Sequence, residues 1–360
     1  MPKPTAGSAR PLAQVYRRFA EADAAEMSPL YERVAVALSE SAEALRAIEA
    51  APAQKRHPKV VLAALHDLVL AGQAPALAKA YAESDVDAAA RAAVDTVLDL
   101  ADEVVAIASR RKTKTGETGR YGVLYPAIAE AARRAGADAV GLIDFGTSAG
   151  FNLNVDRVGI TYSTGQVLGD PSSPLRWWCS VVDGRPVPQR PIPEVVARIN
   201  IDPDPIDVTD TDDARWLRAC LPPDAQERTA ARLEAEMALA ATAPPTLLRG
   251  NVLKVLPDAL TRVPANALPV VTTTWALSKL PVDGRHRFLK HLEEAATDRP
   301  VAWVSAEGVG VAPAISTFGD RRASGHSILG VTVCHRSEVH ADAVGRCWSR
   351  GHFLEWHPEG

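Results

Sequence analysis

Cysteine is scarce in this 360-residue chain: Cys179, Cys220, Cys334 and Cys347 are all it has, with no Cys-x-x-Cys pair and no framework spacing. That excludes a disulfide-stapled scaffold and suits reduced thiols in a reducing compartment. Long apolar runs are missing as well. Nothing is long enough to span a bilayer, and the opening stretch "MPKPTAGSARPLAQVYRR" lacks the apolar core of a signal peptide. The expectation is a cytoplasmic protein with no membrane partner. An excess of charge of one sign is absent too. Forty Lys and Arg against 44 Asp and Glu leave a net charge of −4, which gives no general drive toward nucleic acid. A small-molecule ligand is the default, and the oligomeric state is not legible.

There are no internal repeats. The sequence does contain 47% hydrophobic residues, enough over this length for a sizeable core in one large domain with a smaller one attached, or in two. Two textures divide it. Residues 1–135 read as an α-helical N-terminal region. Apolar residues recur at three and four steps in "PLYERVAVALSESAEALRAI", behind Ser28 as N-cap and Pro29 at the first helical position. The same period runs through "PKVVLAALHDLVLAG", closed by Gly72, "PALAKAYAE" and "DVDAAARAAVDTVLDLADEVVAIASRR".

Residues 136–360 read as an α/β domain, with short β-rich runs separated by helical segments. The runs are "DAVGLIDF", "EVVARINID", "TLLRG", "ALPVVTTTW", "PVAWVSAE", "SILGVTVCH" and "HFLEWH". They predict a seven-stranded, mostly parallel sheet in which one of the last two strands runs antiparallel at the edge. Between the first two runs lie about fifty residues, more than a crossover needs. The Gly- and Pro-rich part at about 158–193, with a turn signal at Asp183-Gly184, predicts a small β-containing insertion beside the loop that follows the first strand.

That loop, Gly146-Thr147-Ser148-Ala149-Gly150, fits two chemistries. As a nucleophile elbow it would raise Ser148 out of the sheet, with Asp202 or Asp207 and one of His326, His335 or His352 completing a triad. An elbow needs strands ahead of it, and nothing before residue 138 reads as one. As a cofactor cradle it needs what is found: Asp144 ending the first strand, Gly146 and Gly150 flanking the turn, and Asp202 closing the next strand, placed for a ribose. The dinucleotide fingerprint's middle glycine is absent, which favours a ligand without phosphates.

"LIDFGTSAGFNLNVDR", "TGETGR" at 115–120, "GDPSSPLR", "RINIDPDPIDV" and "WVSAEG" together resemble the bacterial domain-of-unknown-function family 2332 over nearly the whole chain. The resemblance implies a Rossmann-like fold of the S-adenosylmethionine-dependent methyltransferase type. It implies a cofactor site in which Asp144, Gly146, Thr147, Ser148 and Gly150 surround the methionine part, Asp202 the ribose and Asn251 the adenine, with Thr274 nearby. It departs from the family's usual Thr-Asn-Glu-x-x-Arg stretch by carrying Gly116 in place of the amide. The function so implied is S-adenosylmethionine binding with methyl transfer to an unidentified small molecule. A Ser148 hydrolase and a non-catalytic ligand-binding or scaffold protein are the alternatives.

Candidate catalytic residues are Glu117 and Arg120, in the Gly-broken loop between the two textures, and Glu307, just past the fifth predicted strand, where open sheets place ligand-facing groups. Trp275 is a candidate pocket wall, and "VVTTTWALSKLP" holds no acid of the amino-methylating kind. The Cys and His residues from Cys334 to His357 match no zinc spacing, so no metal is expected.

Overall fold

The computed structural model describes residues 11–114, 118–336 and 338–357. In chain order the helices are α1 (Leu12–Phe19), α2 (Pro29–Glu40), α3 (Ala42–Ile48), α4 (Pro58–Leu70), α5 (Pro75–Ala82), α6 (Val86–Asp99), α7 (Ala101–Arg110), α8 (Tyr121–Ala135), α9 (Thr211–Ala219), α10 (Glu227–Ala241), α11 (Val252–Thr261) and α12 (Val282–Ala295). The chain divides into two compact units: residues 1–116 with 210–231, and 117–209 with 232–360. The division falls ahead of α8, so this helix belongs to the second unit and not to the N-terminal helical region expected to run to residue 135.

Among the described residues the first unit holds helices and their connections and no strand. Ser28 caps α2 by accepting the Tyr31 N–H at 3.0 Å, and Pro29 opens the helix as read. The long helical pattern from Pro29 breaks once, because the Ser41 hydroxyl accepts the Ala44 N–H and starts α3 afresh. Among the described residues no single helix is long and apolar enough to cross a membrane.

The second unit is built on one sheet. Its strands are β1 (Ala139–Phe145), β2 (Gly159–Tyr162), β3 (Val167–Gly169), β4 (Arg176–Val181), β5 (Glu194–Asp202), β6 (Thr246–Arg249), β7 (Leu268–Thr274), β8 (Val301–Gly308), β9 (Ser327–His335), β10 (Glu338–Trp348) and β11 (Phe353–Trp356). All seven predicted runs are strands, and among the described residues none precedes Ala139. The sheet nevertheless has eleven strands, not seven, in the order β3-β2-β4-β11-β10-β9-β8-β7-β1-β5-β6. Two causes account for the difference. The polar stretch from Glu338 is itself a strand, β10, antiparallel to β9 and β11. Its outward residues are Glu338, His340 and Asp342, so it shows no apolar run. The insertion contributes β2, β3 and β4, and β4 pairs in parallel with β11 through Phe353 opposite Ser180, covering an edge that would otherwise present unpaired backbone.

Alternation sorts the core onto two faces. Val140 and Leu142 of β1 pack with Leu124 and Ile128 of α8, while Ile143 and Phe145 pack with Leu256 of α11 and Phe288 and Leu292 of α12. No α-helix lies between β1 and β5; a 3₁₀ turn (Phe151–Arg157) and the inserted strands fill that crossover instead.

Candidate functional site

Strands β5 and β7 flank β1 on either side in parallel, so Asp144 emerges at the carboxyl ends of the central strands, level with Asn200 and Thr272. The following loop needs both glycines: Gly146 has φ 91° and Gly150 φ 65°, and a Cβ on Gly146 would stand 2.7 Å from that of Ala276. Asp144 is fully buried, and its two oxygens accept from three side chains. These are the Asn152 amide at 3.2 and 3.3 Å and the hydroxyls of Thr147 and Thr272. Burial raises its pKa, and these hydrogen bonds oppose the rise. Its acceptor capacity is spent inside the protein, so Asp144 builds the loop. Asn152 also donates to Thr274 at 3.3 Å. Arg198 grips Asp156 in a bidentate pair, 2.7 and 2.8 Å, which pins the 3₁₀ turn.

Two polar atoms at this loop are buried without a partner: Ser148 Oγ and Asn200 Oδ1. The Ser148 carbonyl, by contrast, accepts from Ile206 N–H and the Asn200 amide, at 2.8 and 3.0 Å. No imidazole reaches the Ser148 hydroxyl, and no described strand precedes β1 to carry an oxyanion loop. Ser148→Ala is therefore expected to leave stability within about 1 kcal/mol of wild type. A fluorophosphonate should fail to label the wild-type protein; labelling at Ser148 would restore the elbow.

The structure sets the other predicted residues in different surroundings. Asp202 ends β5, is 9% exposed, and accepts the Asp204 N–H on Oδ1 at 2.7 Å. Asn251 is exposed and caps α11 by accepting the Leu253 N–H at 2.9 Å. Glu307 is completely buried; its Oε1 accepts the N–H groups of Ala276 and Leu277 at 3.0 and 3.1 Å, and burial raises its pKa. It fixes the turn after β7 from inside the protein. Glu117 lies outside the described residues.

Arg120 sits in a second polar centre adjoining the loop, most of which sequence reasoning missed. Its backbone N–H donates to Asn152 Oδ1 at 2.8 Å, and its guanidinium lies 5.4 Å from the Trp275 ring centre. Next to it Glu236 of α10, 1% exposed, accepts the Gly119 N–H at 2.9 Å. Burial pushes the Glu236 carboxyl up to about 7, against the pull of Gly119, Tyr121, Arg232 and Arg120. Tyr121 meets Trp177 edge to face at 5.5 Å, Trp177 stacks on His352 at 4.7 Å, and Arg232 lies 5.1 Å over the same indole. The Tyr121 phenol and Glu236 stand close enough for each to shift the other's titration, but neither the Tyr121 hydroxyl nor Glu236 Oε2 meets hydrogen-bond geometry, and the buried Trp177 N–H has no partner. Trp275, beside the Arg120 guanidinium, holds a left-handed φ of 54°, a cost that non-glycine residues bear at sites the surrounding fold over-determines.

One sequence signal pointed to Glu236. Leu233, Glu236, Met237 and Ala240 are the buried residues of α10, so the acid occupies a core position of a helical stripe. No curated protein and no solved structure matches this chain. A family described as "Uncharacterized protein conserved in bacteria (DUF2332)" matches residues 13–356, nearly the whole length and both units, and the chain belongs to that family.

Proposed function

We propose that the second unit binds S-adenosylmethionine across the carboxyl ends of β1, β5 and β6, and that the protein is a methyltransferase for a small molecule. The observation that carries this reading is the strand order. The five parallel strands β6-β5-β1-β7-β8, numbered in their own sequence order, run 3-2-1-4-5. Open α/β sheets of that Rossmann-like order bind ligands where the order reverses, here at the ends of β1 and β7 where the glycine loop lies. Ser148 Oγ and Asn200 Oδ1 are the orphaned polar atoms such a ligand would satisfy. The element directly after the loop is a short 3₁₀ turn, which offers no helix dipole for a phosphate, and this favours a nucleoside without one.

In this reading Asp144 positions the loop, Asp202 offers Oδ2 to the ribose hydroxyls, and Arg120 and Trp275 wall the side toward the acceptor. S-adenosylmethionine supplies an electrophilic methyl group; the chain's own task is orientation and exclusion of water. Calorimetry of the purified protein with S-adenosylmethionine and S-adenosylhomocysteine tests it. Asp202→Ala should weaken both at least about tenfold, the equivalent of roughly 1.4 kcal/mol. Asp204→Ala and Asp207→Ala serve as controls. Equal affinity in all three variants would move the ribose elsewhere, and no binding by wild type would overturn the proposal. Binding without turnover of any acceptor would favour a ligand-binding role.

A further inference from the structure

We propose that the centre around Glu236 is the site of a small phenol, whose hydroxyl donates to Glu236 Oε2 and accepts from the Trp177 indole N–H. The inference deepens the methyl-transfer reading by naming the acceptor class. It starts from three polar atoms of one cluster, Glu236 Oε2, Tyr121 OH and Trp177 Nε1, all buried and none hydrogen-bonded. Clustered orphans of this kind call for a ligand or an ordered water. The set contains one donor-only group, Trp177 N–H, and one carboxylate, so it matches a group that both accepts and donates. A hydroxyl does this with one atom.

Two features favour an aromatic hydroxyl. The surroundings are aromatic: Tyr121, Trp177, His352 and Trp275 all belong to the cluster or its wall. The second is proton affinity. A carboxylate titrating at about 7 is the group to receive a proton in the transfer step. A phenol, at about 10, is within its reach, whereas an alkanol is close to water at about 15.7. Methylation of a phenol balances with no further reactant: the phenol oxygen bonds the methyl carbon, the carbon–sulfur bond breaks, and the hydroxyl proton passes to Glu236. The methyl donor's place is adjacent, because Arg120 and Asn152 join this centre directly to the glycine loop.

The test uses the full chain without S-adenosylmethionine and phenol itself as probe, titrated by calorimetry and indole fluorescence from pH 6 to pH 8. The groups facing Glu236 are Arg120, Arg232 and Tyr121, with Asp144 and His352 one step further. Burial holds Tyr121 protonated over this range. His352 is held below its ordinary range by burial and by Arg232 and Arg120. Phenol should bind wild type about tenfold more tightly at pH 8 than at pH 6, since only the ionised acid is competent. Glu236→Gln should bind it with a flat profile, and Trp177→Phe more weakly at each pH with the slope kept. Anisole, the same ring without the O–H, should bind wild type at least tenfold more weakly than phenol, an arm that needs no variant. Absence of phenol binding at millimolar concentration, anisole binding as well as phenol, or a pH slope that survives in Glu236→Gln would each overturn the assignment. If phenol behaves as expected while S-adenosylmethionine fails to bind, this site stands and the methyl-donor reading falls.

Discussion

Asp144→Ala is expected to cost about 3 to 5 kcal/mol of stability and to abolish ligand binding at the glycine loop. The carboxylate is the common acceptor for Asn152, Thr147 and Thr272, and it lies fully inside the protein. Deleting it removes the acceptor of three donors at once, two of them buried, and each unsatisfied buried donor costs about 1 to 3 kcal/mol. Thr147 recovers some of this by turning toward solvent, since it is only half-buried; Thr272 and Asn152 do not have that escape. The damage reaches beyond the fold's stability. Asn152 holds the Arg120 backbone through its other amide atom, so loosening it releases the loop and the Arg120 segment together. Asp144→Asn should be milder, because its remaining oxygen and its amide can re-pair with hydroxyls that both donate and accept. Urea unfolding of the two variants measures the difference. An Asp144→Ala midpoint equivalent to less than about 1 kcal/mol of loss would show that Asp144 does not organise the loop.

The parts of this architecture that were legible in the sequence are those where one face of an element is buried by its own periodicity. Strands β1, β7 and β8 are buried almost throughout, so they read as short continuous runs, and their positions follow directly. Strand β10 was hidden because its exposed residues are polar and its inward ones small, as in Ala341 and Ala343. The inserted strands were recognised as β-rich, but their joining to β11 depends on an edge pairing between segments about 170 residues apart, which no local pattern encodes.

The site divides in the same way. Gly146 and Gly150 were readable because backbone conformation restricts residue type. Asp144 was readable as a strand-end acid, though its role turned out to be internal, since the hydrogen bonds of Asn152 and Thr272 come from residues up to 128 positions away. Glu307, expected just past its strand and facing a ligand, lies within β8 and is buried, a placement that follows only from the backbone turn it caps. Glu236 is set in an ordinary-looking charged helix, and only the phase of the apolar stripe distinguishes it from a surface acid.

That phase has a thermodynamic consequence. In the folded protein Glu236 keeps its proton up to about 7, against 4.5 for an ordinary glutamate. Between those pH values the native state carries a proton that the unfolded chain has released, so this group makes stability fall as pH rises, and the loss is complete above the folded pKa. At about 1.4 kcal/mol per pKa unit, wild type should lose about 2 to 3 kcal/mol from this group alone between pH 5 and pH 8. Glu236→Gln has no such titration and keeps an oxygen to accept the Gly119 N–H. The variant should therefore gain on wild type steadily across that interval and be the more stable protein at pH 8, as read from urea midpoints of the two. Parallel stability profiles would show that the carboxyl titrates like an exposed one and would remove the chemical basis for proton transfer at this position. A gain at pH 8 would mean that the chain retains an acid on the buried stripe of α10 at a cost in stability, where leucine or methionine would serve the core better. Residues that break a local packing rule without a structural return are those expected at functional sites.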